Sequence, residues 1–240
     1  MCPPARCAIC YGVGTPVTVI PSGLELSRFE TLPDEQERSA LRASLGIGKD
    51  DKVLLFLGRL AREKNVDELL ELIARESDPH IRLLLAGDGP YRAQLEEKAK
   101  ACSLGNRVVF TGMIKPCEAA MYYALGDVFI SASRSETQGL TYIEAMAAGL
   151  PLLCRDDPCL ANVIQDGVNG LTYTDEAAFS EKLHRLMDNA ALCHMLGEAA
   201  RETVRQSFSS GKFAQCVLSE YRALIQSGHA EKYSAGQIIY

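Results

Sequence analysis

Two acidic residues in the segment SRSETQGLTYIEAMAAGLP, from Ser133 to Pro151, can do chemistry that their neighbours do not explain. Glu136 stands just before a glycine turn, and Glu144 falls inside an apolar helix expected to begin near Gly139. On a helix surface the neighbours of Glu144 are Leu140, Ala147 and Ala148, all apolar. A carboxylate placed there carries a desolvation cost unless a donor reaches it. The expected donor is a polyhydroxylated ligand docked at the helix N-terminus. Glu144 can accept two hydroxyl hydrogen bonds, as a ribose diol offers, and Glu136 can do the same for a sugar ring. The amides of Gly139, Leu140 and Thr141 would point out of that N-terminus, where orphan donors and the helix dipole favour an anion. Plainer readings remain open. Glu144 reads also as a first-turn acid favoured by the dipole, and Glu136 as a surface loop acid.

Three other segments follow expected strands. In GRLAREKN, Gly58 to Asn65, Arg59 and Lys64 flank a turn. A forked guanidinium and a compact ammonium together suit a diphosphate, though the segment alone reads equally as solvated cations. In LLLAGDGPYR, Gly87 and Gly89 bracket Asp88 where backbone could come close to a nucleotide. Arg92 stands where the dinucleotide fingerprint needs its third glycine, which disfavours an oxidoreductase. Asp88 reads alternatively as a helix cap. In TGMIKP, Met113 and Ile114 are apolar residues able to pack on a nucleobase, or are ordinary turn-flanking residues. The Asp166-Gly167 and Asn169-Gly170 pairs read as turns. The four histidines lie outside these segments, and no Ser/His/Asp or Cys/His constellation is visible.

The elements that must position these residues alternate between strand-length apolar runs and helical patterns. Strands are expected at Val17–Ile20, Val53–Leu57, Ile81–Ala86, Val108–Phe110, Val128–Ser131, Leu152–Cys154 and Leu171–Tyr173. Between them, helices are expected at Asn65–Glu76 (with Asn65 as N-cap), from Pro90 to about Cys102, at Cys117–Leu125, from Gly139 and at Pro158–Gln165. Three more follow at Glu176–Met187, Ala190–Ser207 and Lys212–Ser227. Thr31–Ser39 reads as a polar linker, residues 1–16 as an irregular leader, 17–227 as the folded domain and 228–240 as a loose tail. This is the pattern of a doubly wound α/β fold, a mostly parallel Rossmann-like sheet with helices on both faces. Such folds bind ligands at the carboxyl ends of their strands.

With 240 residues, 47% hydrophobic and 23% charged, the chain can bury a sizeable core. A net charge of −6 argues against a general nucleic-acid or anionic-membrane surface. No apolar run approaches the ~18 residues of a membrane span, and MCPPARCAIC lacks the apolar core of a signal peptide. Nine scattered cysteines suggest reduced thiols and a cytoplasmic location. Cys7 and Cys10, with Cys2 nearby, lack the further ligands that would complete a metal site, so no metal and no cofactor is expected.

Taken in order, VIPSGLELSRF, GRLAREKN, LLLAGDGP, VVFTGMI and SETQGLTYIEAMAAGLP resemble the motifs of the retaining glycosyltransferases of family 4, over roughly Val17 to Gln226. The last contains the E-x(7)-E pattern of that family as Glu136 and Glu144. The resemblance implies one half of a GT-B architecture, the donor-binding half. The acceptor-binding half is then missing, and Lys212–Ser227 is the segment that would pack on it, leaving an apolar face exposed. It implies that Arg59 and Lys64 hold the diphosphate, Glu144 the ribose and Glu136 the donor sugar. Thr137, Gln138, Gly139, Leu140 and Thr141 would contact sugar and phosphate, with Gly58, Gly87, Asp88 and Gly89 at the donor and Met113 and Ile114 flanking the base. Configuration would be retained, with the leaving phosphate assisting the acceptor on the same face. No protein nucleophile is then required, and stabilising the departing diphosphate is the catalytic task.

Thr137 and Gln138 stand where the usual pattern has glycine-phenylalanine. Together with GDGPYR and YYALGDVF, this variant is similar to bacterial 1,2-diacylglycerol 3-glucosyltransferases. That implies UDP-glucose as donor, a membrane lipid acceptor bound through the missing half, and a place at the inner face of the plasma membrane for the full-length enzyme. The isolated chain would be inactive. Two alternatives stand beside it: a nucleotide-sugar-binding module pairing with a separate chain, and a transferase acting on a cell-wall or capsular glycan.

Overall fold

A computed structural model describes residues 17–30, 33–136 and 138–226. The N-terminal cysteines, Thr137 and the tail from Gly228 lie outside the described residues. Among the described residues, α1 (Ser27–Glu30) and α2 (Glu35–Ser44) precede the sheet. The strands are β1 (Lys52–Leu57), β2 (Ile81–Ala86), β3 (Val108–Gly112), β4 (Val128–Ser131), β5 (Leu152–Arg155) and β6 (Leu171–Tyr173). Between them run α3 (Val66–Arg75), α4 (Arg92–Ala101), α5 (Ala119–Leu125) and α6 (Leu140–Ala148). The chain continues through α7 (Glu176–Met187), α8 (Ala190–Ser207) and α9 (Ser210–Gln226).

All five pairings are parallel, in the order β3-β2-β1-β4-β5-β6. This is the doubly wound arrangement, with its switch of direction between β1 and β4. β1 is covered on both faces from Val53 to Leu57, which is why that stretch, VLLFL, is an uninterrupted apolar run. Alternation along it builds two cores. Val53, Leu55 and Leu57 join Tyr123, Tyr142, Ile143 and Met146 on one face. Leu54 and Phe56 join Leu69, Leu70, Ile73 and Leu95 on the other. The helix after β1 therefore covers one face of the sheet and the helix after β4 the opposite one.

Several expectations need correction. Val17–Ile20 is not a strand; Val17 and Val19 are about half exposed at 47% and 50%, and the nearest pairing is an isolated bridge from Leu24 to Ser209. The supposed linker, Thr31–Ser39, contains the start of α2, which is a capping box: Asp34 accepts from the Glu37 amide while Glu37 accepts from the Asp34 amide. That Asp-x-x-Glu signal is present in the sequence. Pro158–Gln165 is helical only as a 3₁₀ turn over Pro158–Leu160, capped by Asp157. Asn65 does precede α3, but it adopts a left-handed conformation (φ 52°) and its side chain does not cap the helix. Asp166-Gly167 and Asn169-Gly170 are turns, with the Asn169 amide donating to the Val163 carbonyl. Helix α9 buries none of its residues and exposes Leu218, Tyr221, Leu224 and Ile225. Among the described residues no helix is long and apolar enough to cross a membrane.

Glu76, the buried residue ending α3, lies 2.8 Å from Nε2 of His184 on α7. That hydrogen bond, with help from Asp188 and Asp78, holds the imidazole above its ordinary range. A raised folded-state value means stabilisation that is complete below about pH 6.5 and lost as pH rises through the folded value. His184 is 56% exposed, so the pair belongs with screened surface pairs worth about 0–1 kcal/mol. We expect H184Q to lower the melting temperature at pH 6 by a degree or two, roughly the shift such a pair implies. At pH 8.5 it should leave it unchanged, and an equal loss at both values would show that packing, not charge, is what was removed.

Candidate functional site

The β1 and β4 ladder has two registered pairs, Leu54 with Val128 and Leu55 with Phe129. Beyond them the strands part and their loops form the walls of a cleft. One cavity, about 280 Å³, is lined by Gly58, Arg59 and Lys64 from the β1 loop and by Glu136, Gln138, Gly139, Leu140 and Thr141 from the β4 loop and the start of α6. A second, about 580 Å³, shares Leu57, Gly58 and Arg59 with the first and continues to Gly87, Asp88, Gly89, Met113 and Ile114. The joined space is of the size that small-molecule sites occupy. Of the residues singled out from the sequence, Glu144 lines neither cavity and Thr137 lies outside the described residues.

Local sequence explains each wall. Gly139 starts α6 in a left-handed conformation (φ 66°), and a Cβ there would sit 2.8 Å from Leu160 Cδ2. With no side chain at the N-cap, nothing from that residue occupies the first amides of α6. Gly87 has φ 140°, and a Cβ on it would fall 2.0 Å from the Gly58 carbonyl oxygen. The glycines of GDG therefore serve loop-to-loop packing: the Gly58 amide donates to Ala86 O at 3.0 Å and the Leu60 amide to Asp88 O at 2.9 Å. Asp88 does not cap α4. It accepts from its neighbour Gly89 and pairs with Arg92 at 3.2 Å.

The electrostatic centre is an ion pair. Lys64 Nζ donates to Glu136 Oε1 at 2.7 Å, with the side chains only 23% and 7% exposed. Arg59 is 66% exposed and its guanidinium rests on Glu63, at the junction of the two cavities. Glu144 is not short of a donor: the Tyr123 hydroxyl gives it a 2.9 Å hydrogen bond and also lies 3.1 Å from the Thr141 carbonyl. Burial first, then the Glu144 carboxylate, push the Tyr123 hydroxyl well above its usual range, so it remains a donor. The expectation that a ligand alone relieves Glu144 is corrected by this contact. No local pattern signals it, because Tyr123 lies 21 residues away on α5.

Two further residues were missed. Ser131 and Tyr142 line the smaller cavity, and the Tyr142 hydroxyl donates to Ser131 Oγ at 2.6 Å. Behind them, burial holds the Cys154 thiol well above its usual range, so it is no nucleophile. Among the described residues no three His, Cys, Asp or Glu side chains are grouped to hold a metal ion. The site thus offers two cations and a helix N-terminus for an anion, with a carboxylate beside them able to accept hydroxyl hydrogen bonds.

The sequence pattern that defines the family described as glycosyl transferases group 1 matches residues 37–203. The α-monoglucosyldiacylglycerol synthase of Streptococcus pneumoniae is 45% identical over 170 residues, covering 69% of this chain and 38% of that protein. The enzyme of the same name from Acholeplasma laidlawii is 31% identical over 215 residues, covering 88% and 54%. The chain thus spans about half or less of the length of these relatives. Among solved structures, Anabaena HepE in complex with UDP superposes with a TM-score of 0.78 at 20% identity, over 86% of this chain and 57% of that one. The C-terminal domain of a glycosyl transferase group 1 protein from Francisella tularensis superposes at 0.65 and 22% identity, over 78% of this chain and 99% of that domain. These likenesses establish the fold, half of a GT-B architecture.

Replacing Lys64 by methionine leaves Glu136 buried and unpaired. The expected cost is about 1–3 kcal/mol, below the figure for a fully buried pair because Lys64 is partly exposed. Urea unfolding should give a lower midpoint at unchanged slope, and K64M/E136Q should recover part of it. A single variant as stable as the parent would mean that the pair does not hold the loops together.

Proposed function

We propose, from the premise that this chain belongs to the glycosyl transferases group 1 family, that it is the donor-binding half of a retaining glucosyltransferase. The donor is UDP-glucose and the acceptor a membrane diacylglycerol. The observation that carries the donor reading is the meeting of Arg59, Lys64, Glu136 and the N-terminus of α6 around one cavity at the switch point. The lipid acceptor is supported by the two synthase relatives. The acceptor-binding half belongs to a domain outside this sequence, which is consistent with the fraction of those relatives that the chain covers.

The diphosphate lies against the α6 amides, Arg59 and Lys64, which carry the charge that develops as it leaves. To reach it Lys64 gives up Glu136, whose carboxylate then turns to the hydroxyls of the hexose. Gln138, Leu140 and Thr141 flank the sugar and phosphates. Glu144, steadied by Tyr123, takes the ribose diol with its remaining acceptor capacity. The base lies along the larger cavity, between Gly87, Asp88 and Gly89 and the Met113–Ile114 edge. No protein nucleophile, metal or further cofactor takes part.

Calorimetry on this chain should give heat with UDP and UDP-glucose but not with GDP or ADP. No heat with any of them ends the donor-site reading. E144A should weaken UDP by roughly 10–100-fold, the scale of a charge-assisted hydrogen bond. E136A should leave UDP unchanged or tighter, since it frees Lys64, while abolishing the preference for UDP-glucose over UDP. The opposite order would mean that the ribose and hexose roles are exchanged.

A further inference from the structure

The sheet itself does not fix the width of the cleft, because β1 and β4 are paired only as far as Leu55 and Phe129. Among the described residues, three side-chain links cross from the β1 side to the β4 loop. The first is the Lys64–Glu136 pair, and on the proposed donor reading it must open when a diphosphate arrives. The second is the Asn65 amide nitrogen, which donates to the Ala132 carbonyl at 3.3 Å. The third passes through Glu68, which no motif had marked.

Glu68 stands in the first turn of α3 with its side chain 17% exposed, and four donors converge on it. Its Oε2 accepts from Asn65 at 2.6 Å and from Arg134 of the β4 loop at 3.2 Å. Its Oε1 accepts from Arg155 at the end of β5 at 2.5 Å and from the Tyr173 hydroxyl at the end of β6 at 3.2 Å. A carboxylate has about four lone-pair positions, so this one is saturated. Arg155 is further fixed by the Thr174 carbonyl and by the Tyr173 ring, 5.7 Å from its guanidinium.

We propose that Glu68 is a positioning residue that holds the two walls of the cleft at their working separation while Lys64 exchanges Glu136 for the donor. It lines neither cavity of the cleft and acts through Asn65, which follows Lys64, and through Arg134, which precedes Glu136 by two residues. Once the Lys64 pair opens, the Asn65 and Glu68 links are what keep the β1 and β4 loops facing each other. The proposal rests on the donor reading above for its ligand and on the contacts themselves for its geometry.

The test is E68Q on the full 240-residue chain, which keeps the shape and removes the charge and one acceptor. NMR titration with uridine reports the base and ribose end, and calorimetry with UDP-glucose reports the whole donor. The expected result is uridine affinity within twofold of the parent and UDP-glucose affinity reduced five- to fiftyfold. Equal loss for both ligands, or loss for neither, overturns the proposal, since simple destabilisation does not change their ratio. Hydrogen exchange without ligand gives an independent reading. In E68Q the amides of residues 62–65 and 133–136 should exchange about tenfold faster, with those of β1 unchanged; unaltered loop exchange, or a uniform rise everywhere, overturns it even if the parent chain binds no nucleotide sugar. R134Q, a change at a 61% exposed side chain with little risk to folding, should speed exchange at 133–136 alone, and no change there counts against the link.

Discussion

When the helices that follow two neighbouring strands lie on opposite faces of the sheet, the connecting loops diverge and leave a crevice at the strands' carboxyl ends. In this chain β1 leads to α3 on one face and β4 to α6 on the other. Their ladder stops after two residue pairs. The opening that results is where Gly58, Arg59 and Lys64 meet Glu136 and the N-terminus of α6. Everything argued about the donor depends on that divergence, because it brings residues some seventy positions apart, such as Lys64 and Glu136, within 2.7 Å.

The cleft is positive where it must meet an anion and negative where it must meet hydroxyls, and both tendencies are balanced internally before any ligand arrives. Lys64 neutralises Glu136, Glu63 neutralises Arg59, and Glu68 pairs with both Arg134 and Arg155. Pairing matters most for Glu136, whose side chain is only 7% exposed and would be a buried, uncompensated carboxylate without Lys64. In the proposed reaction each pairing has a different fate. Those at the cavity exchange partners, and the one behind it stays closed. The buried tyrosines support both arrangements, since burial keeps Tyr123 and Tyr142 protonated as hydrogen-bond donors to Glu144 and Ser131.

Much of the frame was legible from periodicity. The six strands of the sheet and the helices between them follow from apolar runs such as VLLFL and LLLA and from the apolar face of Asn65–Glu76. The misses have local causes. Val17–Ile20 has strand composition but, among the described residues, no neighbour to pair with. The Asp34 capping box was a readable signal hidden in a polar stretch. By sequence, the glycines of GDG suggest close approach by a ligand from outside. The structure assigns them to the Gly58 and Leu60 backbone, which lies too close for any Cβ.

By itself the sequence determined the doubly wound fold, the family of its motifs, and the chemical types available at each strand end: two cations, two acids and a glycine that opens a helix. Those are properties of short windows, and short windows carry them. Tertiary structure decided which of these side chains face one another. It paired Lys64 with Glu136 and gave Glu144 a tyrosine. It also made Glu68, an ordinary first-turn acid by sequence, the point where four chain segments are tied. No pattern within a segment encodes such contacts. They arise from the crossing of helices over a twisted sheet, and they exist only once the cores on its two faces have packed.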